Sequence, residues 1–145
     1  MLLQLLVGIM VSVCNITVHS LLMTALVRAS RFTGSMGVSH PALLLSFVMI
    51  VTVLVLMAAH LSEVVVWASA YAVLDAAPNG SDVVYFAFVN YTTLGYGDIT
   101  PTEDWKLLGP MTAMNGVLLF GWSTAVIFQV LSKAMQNTGM ALASE

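Results

Sequence analysis

Charge is what this sequence lacks most. Lys, Arg, Asp and Glu make up 8% of the 145 residues, and the formal net charge is only −3. So few cations leave no basic patch able to neutralise a phosphate backbone, which excludes nucleic acid as a partner. No segment repeats Arg or Lys at every third position, so the pattern by which a helix responds to membrane potential is absent. The single cysteine, Cys14, rules out an intrachain disulfide and any cysteine-based metal cluster. Lying in an apolar run, it reads as a small buried hydrophobe. The ten methionines are scattered and support no metal site. No basic region precedes the first apolar residues, so no cleaved signal peptide is expected. Little chain follows the last hydrophobic run, which leaves no room for a cytoplasmic ligand-binding domain. The chain has no internal repeat and reads as a non-enzyme.

What the sequence has instead is hydrocarbon. Hydrophobic residues reach 59% and the mean hydropathy is +0.96, far outside soluble norms, so the chain is an integral membrane protein whose first partner is the lipid bilayer. Leu2 to Val27 forms an apolar run of about 26 residues, roughly 39 Å as a helix and enough to span. Ser12, Asn15 and His19 share one face of it, and polar groups in hydrocarbon seek partners on another helix. Residues 1–28 are thus an N-terminal transmembrane helix. Residues 29–40, with Arg28 and Arg31 alongside, Gly34, Gly37 and several Ser and Thr, form a loop, and Pro41 suits the first turn of the next helix. Residues 41–74 make a second span of about 33 residues, near 50 Å if unbroken, long enough to tilt, kink or project. Trp67 and Tyr71 fit an aromatic belt at its end, and Pro78-Asn79-Gly80 reads as a turn.

Ser81 or Asp82 can cap the next segment, 82–92, whose length of about ten residues is too short to cross and reads as a re-entrant helix. Residues 106–131 form the third span, with Trp105 at the interface, and 134–145 a short polar tail. The fold class is all-α membrane protein: three transmembrane helices, one re-entrant helix and a loop at 93–98, the last two spans forming a unit over 41–133.

That loop, Thr93-Leu94-Gly95-Tyr96-Gly97-Asp98, organises the rest. An ion leaving water needs oxygens in place of its hydration shell, and rings of backbone carbonyls supply them. Successive carbonyls can face one axis only if the backbone alternates in handedness, and Gly95 and Gly97 accept positive φ without a Cβ clash. Thr93 can add a hydroxyl ring at the inner mouth, and Tyr96 points away and braces the loop.

The stretch resembles the TVGYG-type signature of the potassium-channel superfamily, with Leu94 in place of the commoner Val at a position that offers its carbonyl. The similarity continues through Tyr85 to Thr92 on one side and Asp98 to Trp105 on the other, then loosely through Gly116 to Ala125. It implies a small channel with an outer helix, pore helix, filter and inner helix, preceded here by an extra helix. K⁺ is then the permeant ion, held by backbone carbonyls of Thr93, Leu94, Gly95 and Tyr96 with Gly97 completing the filter, and no other cofactor is expected. In relatives the aspartate matching Asp98 is often held by an acid or an aromatic residue of the pore helix. Val89 stands at the acid's position, which leaves Tyr85 as the donor. Gly116 resembles an inner-helix gating hinge, although close helix packing explains such a glycine equally well. Val117, Phe120 and Thr124 match cavity-lining positions, and Asn115 points to a neighbouring helix.

Placing Asp98 outside, as the resemblance does, sends the chain terminus and Arg28, Arg31 and Lys133 to the cytoplasm. The N-terminus becomes extracellular or periplasmic, and the charges agree. A closed ring of carbonyls needs several copies, and the family's number is four, so a homotetramer in the cell membrane is expected. The reading is a passive K⁺-selective channel. A nonselective cation channel and a nonconducting regulatory subunit of the same fold stay open beside it.

His60 and Glu63 are the ionisable residues within the second span. Spaced i, i+3, they share a face with Trp67 and Tyr71, and a stripe carrying a carboxylate must face protein rather than lipid. Two partners are available: the first helix through Ser12, Asn15 and His19, and the back of the pore helix through Asn90 and Thr92. Depth favours the pore helix for Glu63. The pair glues helices or senses protons.

Overall fold

Each hydrophobic run becomes one long helix. The computed structural model describes residues 1–32 and 40–138, and within them helix α1 covers Leu2–Phe32, α2 Pro41–Val73, α3 Val83–Tyr91 and α4 Leu108–Thr138, with a 3-10 turn over Glu103–Trp105 leading into α4. Stretches within the three long helices are apolar and long enough to cross a membrane, so the protein is multi-pass. Helix α1 continues past residue 28 into the segment read as a loop, and α4 past residue 131. The remainder of that loop, 33–39 with Gly34 and Gly37, and the tail beyond Thr138 lie outside the described residues.

Local chemistry sets the helix ends. Pro41 occupies the first turn of α2, where its missing N–H leaves no hydrogen bond unmade. At the far end the Leu74 N–H donates to the Ala70 carbonyl at 3.1 Å, and Asp75 turns the chain away at φ +47°. Of the two possible caps for α3, Asp82 serves: its carboxylate accepts from the Val84 and Tyr85 N–H groups at 2.9 and 3.1 Å. The nine residues of α3 rise about 13.5 Å, less than half the roughly 30 Å hydrocarbon core.

Helix α4 packs against all three other helices, and so does α2 against its own neighbours α1, α3 and α4. The face of α4 turned inward follows a spacing of four and three: Thr112, Gly116, Leu119, Ser123, Val126 and Val130 are all buried. That is the seam pattern of helices crossing at a shallow angle. Two apolar clusters result. One surrounds α3, with Val64, Trp67, Tyr71, Phe86, Tyr91 and Leu108. The other lies at the opposite end, with Met23, Leu56, Val126 and Val130. A polar layer separates them.

Two expectations change here. Trp67 and Tyr71 form no belt at a lipid interface; both are 0% exposed. The Trp67 indole donates to Asn115 Oδ1 at 3.0 Å, and the Tyr71 hydroxyl pairs with Thr112 Oγ1 at 2.6 Å. Their polar handles find protein partners on α4, so nothing draws them to headgroups. Cys14 is exposed rather than buried, one position from Asn15, which faces inward.

Candidate functional site

The loop that follows α3 alternates in handedness. Thr93, Gly95 and Gly97 have φ of +60°, +56° and +78°, while Leu94 and Tyr96 between them do not enter that region. The glycines adopt it freely. Thr93 does not, since a β-branched residue there is a genuine outlier costing about 1–3 kcal/mol. Its place is fixed by the end of α3: the Thr93 N–H donates to Asn90 O at 3.1 Å and the Leu94 N–H to Val89 O at 3.0 Å. The strain at Thr93 was not anticipated, because only the glycines signal positive φ in a sequence.

Around the loop, Tyr85 and Asp98 meet directly. The Tyr85 hydroxyl donates to Asp98 Oδ2 at 2.8 Å, and this bond to a carboxylate pushes the phenol above its ordinary pKa. Val89, on the same helix as Tyr85, is buried. Further on, the Thr102 N–H donates to Ala76 O at 2.9 Å, tying the segment after the loop to the turn before α3. Leu94 and Tyr96 are 54% and 69% exposed in the single chain, so the loop's side chains find little cover within it.

The end of α3, just before this loop, rests on α4. Gly116 sits where α4 crosses the end of α3, and a Cβ there would land on the Tyr91 backbone carbonyl. Close packing therefore accounts for this glycine. Val117 and Thr124 are exposed, and Phe120 is partly so, with its ring 4.5 Å from that of His60 and 5.4 Å from that of Tyr91. Val117 and Thr124 thus lie on the face of α4 opposite its packed seam.

Glu63 and His60 lie in the polar layer. Glu63 is fully buried and reaches both anticipated neighbours at once. From α1, His19 Nδ1 lies 2.7 Å from Glu63 Oε1, and Asn15 Nδ2 donates to the Glu63 backbone carbonyl at 3.3 Å. From α3 the partner is the hydroxyl of Tyr91, which donates to Glu63 Oε2, rather than Asn90 or Thr92. His60 Nδ1 is 2.9 Å from Glu63 Oε2 and 2.9 Å from the Tyr91 hydroxyl, and its Nε2 is 2.9 Å from Ser123 Oγ on α4. Asn115 accepts from Asn15 at 3.1 Å and from Trp67 through the same Oδ1. The indole can only donate, so this contact fixes the orientation of the Asn115 amide.

Tyr91 and Ser123 were missed, although both carry a signal. Val83, Phe86, Ala87, Asn90 and Tyr91 share one face of α3 at helical spacing, and Ser123 falls on the four-three seam of α4.

Three helices able to cross a bilayer, with a short helix and a loop of alternating handedness between the second and third, define a multi-pass membrane protein built around a non-helical segment. An ion-channel family model matches residues 59–133, more than half of the chain, and the chain belongs to that family of ion channels. The match runs from the second half of α2 through α3 and the loop into α4; α1 lies outside it. Neither the curated proteins nor the solved structures gave a match.

Proposed function

We propose that this ion channel is selective for K⁺ and conducts it passively along the axis of a homotetramer in the cell membrane. The observation that carries the reading is the alternation of φ at Thr93, Gly95 and Gly97. Such a backbone can turn successive carbonyls of Thr93, Leu94, Gly95 and Tyr96 toward one line, where they replace an ion's hydration shell. One chain supplies one wall of that line, and four related by a cyclic axis close it. In this arrangement α3 is a re-entrant pore helix whose carboxyl end presents a partial negative charge to a cation. The exposed Val117, Phe120 and Thr124 then face the cavity inside, and Tyr96 turns toward a neighbouring copy. The N-terminus and Asp98 lie outside, the C-terminus in the cytoplasm.

The test is a reversal-potential measurement on purified protein in liposomes under opposed K⁺ and Na⁺ gradients. A K⁺ channel gives a potential near the K⁺ equilibrium value. A potential near zero marks a nonselective cation pore, and absence of current a nonconducting subunit. Cross-linking in the same vesicles should stop at four chains.

The Tyr85–Asp98 bond yields a finer expectation. Tyr85→Phe removes one hydrogen bond to a carboxylate at an exposed site, where solvent screens its contribution. Channel open time or inactivation should change while the K⁺/Na⁺ permeability ratio stays within about twofold. A large drop in that ratio would place Tyr85 in ion discrimination itself.

A further inference from the structure

Midway along the bundle, His19 of α1, His60 and Glu63 of α2 and Tyr91 of α3 aim polar atoms at one point that the conduction path above does not use. We propose that His19, His60 and Glu63 bind one divalent transition-metal ion of the zinc class, with the Tyr91 oxygen as fourth ligand.

The ligand atoms of the two histidines and Glu63 all lie within 4.8 Å of one another. Both Nδ1 atoms face the carboxylate, at 2.7 and 2.9 Å, and the Tyr91 hydroxyl is 2.9 Å from His60 Nδ1. A tetrahedral ion with bonds near 2.0–2.1 Å keeps its ligand atoms roughly 3.4 Å apart. These contacts therefore need to open by about half an ångström, and the shorter Tyr91–Glu63 contact by more, which side-chain rotations supply. Imidazole with carboxylate suits zinc and its neighbours, whereas Mg²⁺ and Ca²⁺ prefer all-oxygen shells. Four protein ligands with no open position describe a structural site rather than a catalytic one.

The surroundings of the two rings fit. A metal-bound histidine donates its other N–H to an acceptor. His60 Nε2 and His19 Nε2 lie 2.9 and 3.5 Å from the same atom, Ser123 Oγ, whose two lone pairs can accept both. Without a metal, a His60 that takes the Tyr91 hydroxyl proton at Nδ1 leaves a bare nitrogen facing Glu63 Oε2, whereas protons on both Nδ1 atoms donate to Glu63. In the second case two bare Nε2 atoms compete for the one hydroxyl proton of Ser123, and one nitrogen goes without. An extra proton on one imidazole is the alternative remedy. Charge balances in either state. With the proton, Glu63 is offset by one imidazolium. With the metal, the ion's two charges are offset by Glu63 and the Tyr91 phenolate, and two protons leave, one from the imidazolium and one from the phenol.

Because the cluster is enclosed, the ion has to enter as the helices assemble, so the full chain is produced in medium supplemented with Zn²⁺ or Co²⁺ and purified in detergent. About one metal per folded chain is expected by elemental analysis, with the intense visible bands of tetrahedral Co²⁺. His19→Ala should retain less than a tenth of that metal. Ser123→Ala, which keeps all four ligands, should fold and lose its metal to chelator at least tenfold faster. Folded wild-type protein holding neither ion overturns the proposal and leaves a proton as what closes the cluster. Unchanged metal content in folded His19→Ala overturns it too. If His19→Ala does not fold, unaltered metal retention by Ser123→Ala decides against it. None of these readouts involves flux, so they stand or fall separately from K⁺ selectivity.

Discussion

Gly95→Ala and Gly97→Ala should each abolish K⁺-selective flux while leaving the chain folded. Space is not the obstacle: within the chain a Cβ at Gly95 meets nothing closer than the Thr93 carbonyl oxygen at 3.9 Å, and one at Gly97 meets nothing within 4 Å. The obstacle is φ, at +56° and +78°. An alanine held in the left-handed region costs about 1–2 kcal/mol, and Thr93 already bears such a strain next door. In the proposed tetramer the added cost recurs in every copy, about 4–8 kcal/mol in all. The backbone relaxes instead, and one ring of carbonyls turns away from the axis. Liposome flux of K⁺ against Na⁺ measures the effect, with a loss of at least a hundredfold in K⁺ flux expected. Selective flux surviving in either variant would sink the assignment of this loop to ion coordination.

Gly116→Ala should damage the fold itself. The new Cβ would coincide with the Tyr91 carbonyl, a backbone atom with no freedom to swing aside. Helices α3 and α4 would have to separate, and overpacking of this kind costs about 1–3 kcal/mol, occasionally more. Separation also pulls Tyr91 from its hydrogen bonds with Glu63 and His60. Gly121→Ala is the matched control on the same helix: nothing within the chain lies within 4 Å of its Cβ, and replacing a helical glycine favours the helix by about 0.5–1 kcal/mol. Thermal inactivation and size-exclusion profiles in detergent should show Gly116→Ala unfolding or dissociating well below wild type and Gly121→Ala unchanged. A stable Gly116→Ala protein with altered opening only would return this residue to the role of a hinge.

The hydrophobic runs made the three spans legible, because in lipid only a continuous helix satisfies its own backbone. The same logic showed that His60 and Glu63 face protein, and Asp82 ahead of an apolar segment carried a recognisable cap. What stayed hidden depends on rotation about a helix axis. An aromatic residue near the end of a span looks the same whether it meets headgroups or a neighbouring helix, which is why Trp67 and Tyr71 read as a belt. On a helix as short as α3, adjacent residues differ by 100° and few turns exist to fix the phase, so Asn90 and Thr92 stood in for Tyr91. Thr93 was hidden for another reason. Its φ is imposed by the end of α3 and the loop, and nothing in threonine's own preferences announces it.

Hydrogen bonds that join α1 to α4 or its approach include Gln4 to Asp104, Gln4 to Leu107, Asn15 to Asn115 and His19 to Ser123, and the partners are separated in sequence by 100, 103, 100 and 104 residues. The near-constant offset means that the two helices run parallel, and it also sets a schedule for biosynthesis. At roughly 5–20 residues per second, a ribosome needs about 5–20 s to make the second partner of each pair. Throughout that interval α1 is in or beside the bilayer with Asn15 and His19 lacking their α4 partners. Helix α2 arrives about halfway through and brings Glu63 to His19, so the first stable pair is α1 with α2. His19 has Glu63 after 44 residues, whereas Asn15 waits 100 for its side-chain partner Asn115, and the order of assembly, α1 with α2 and then α4, follows those separations.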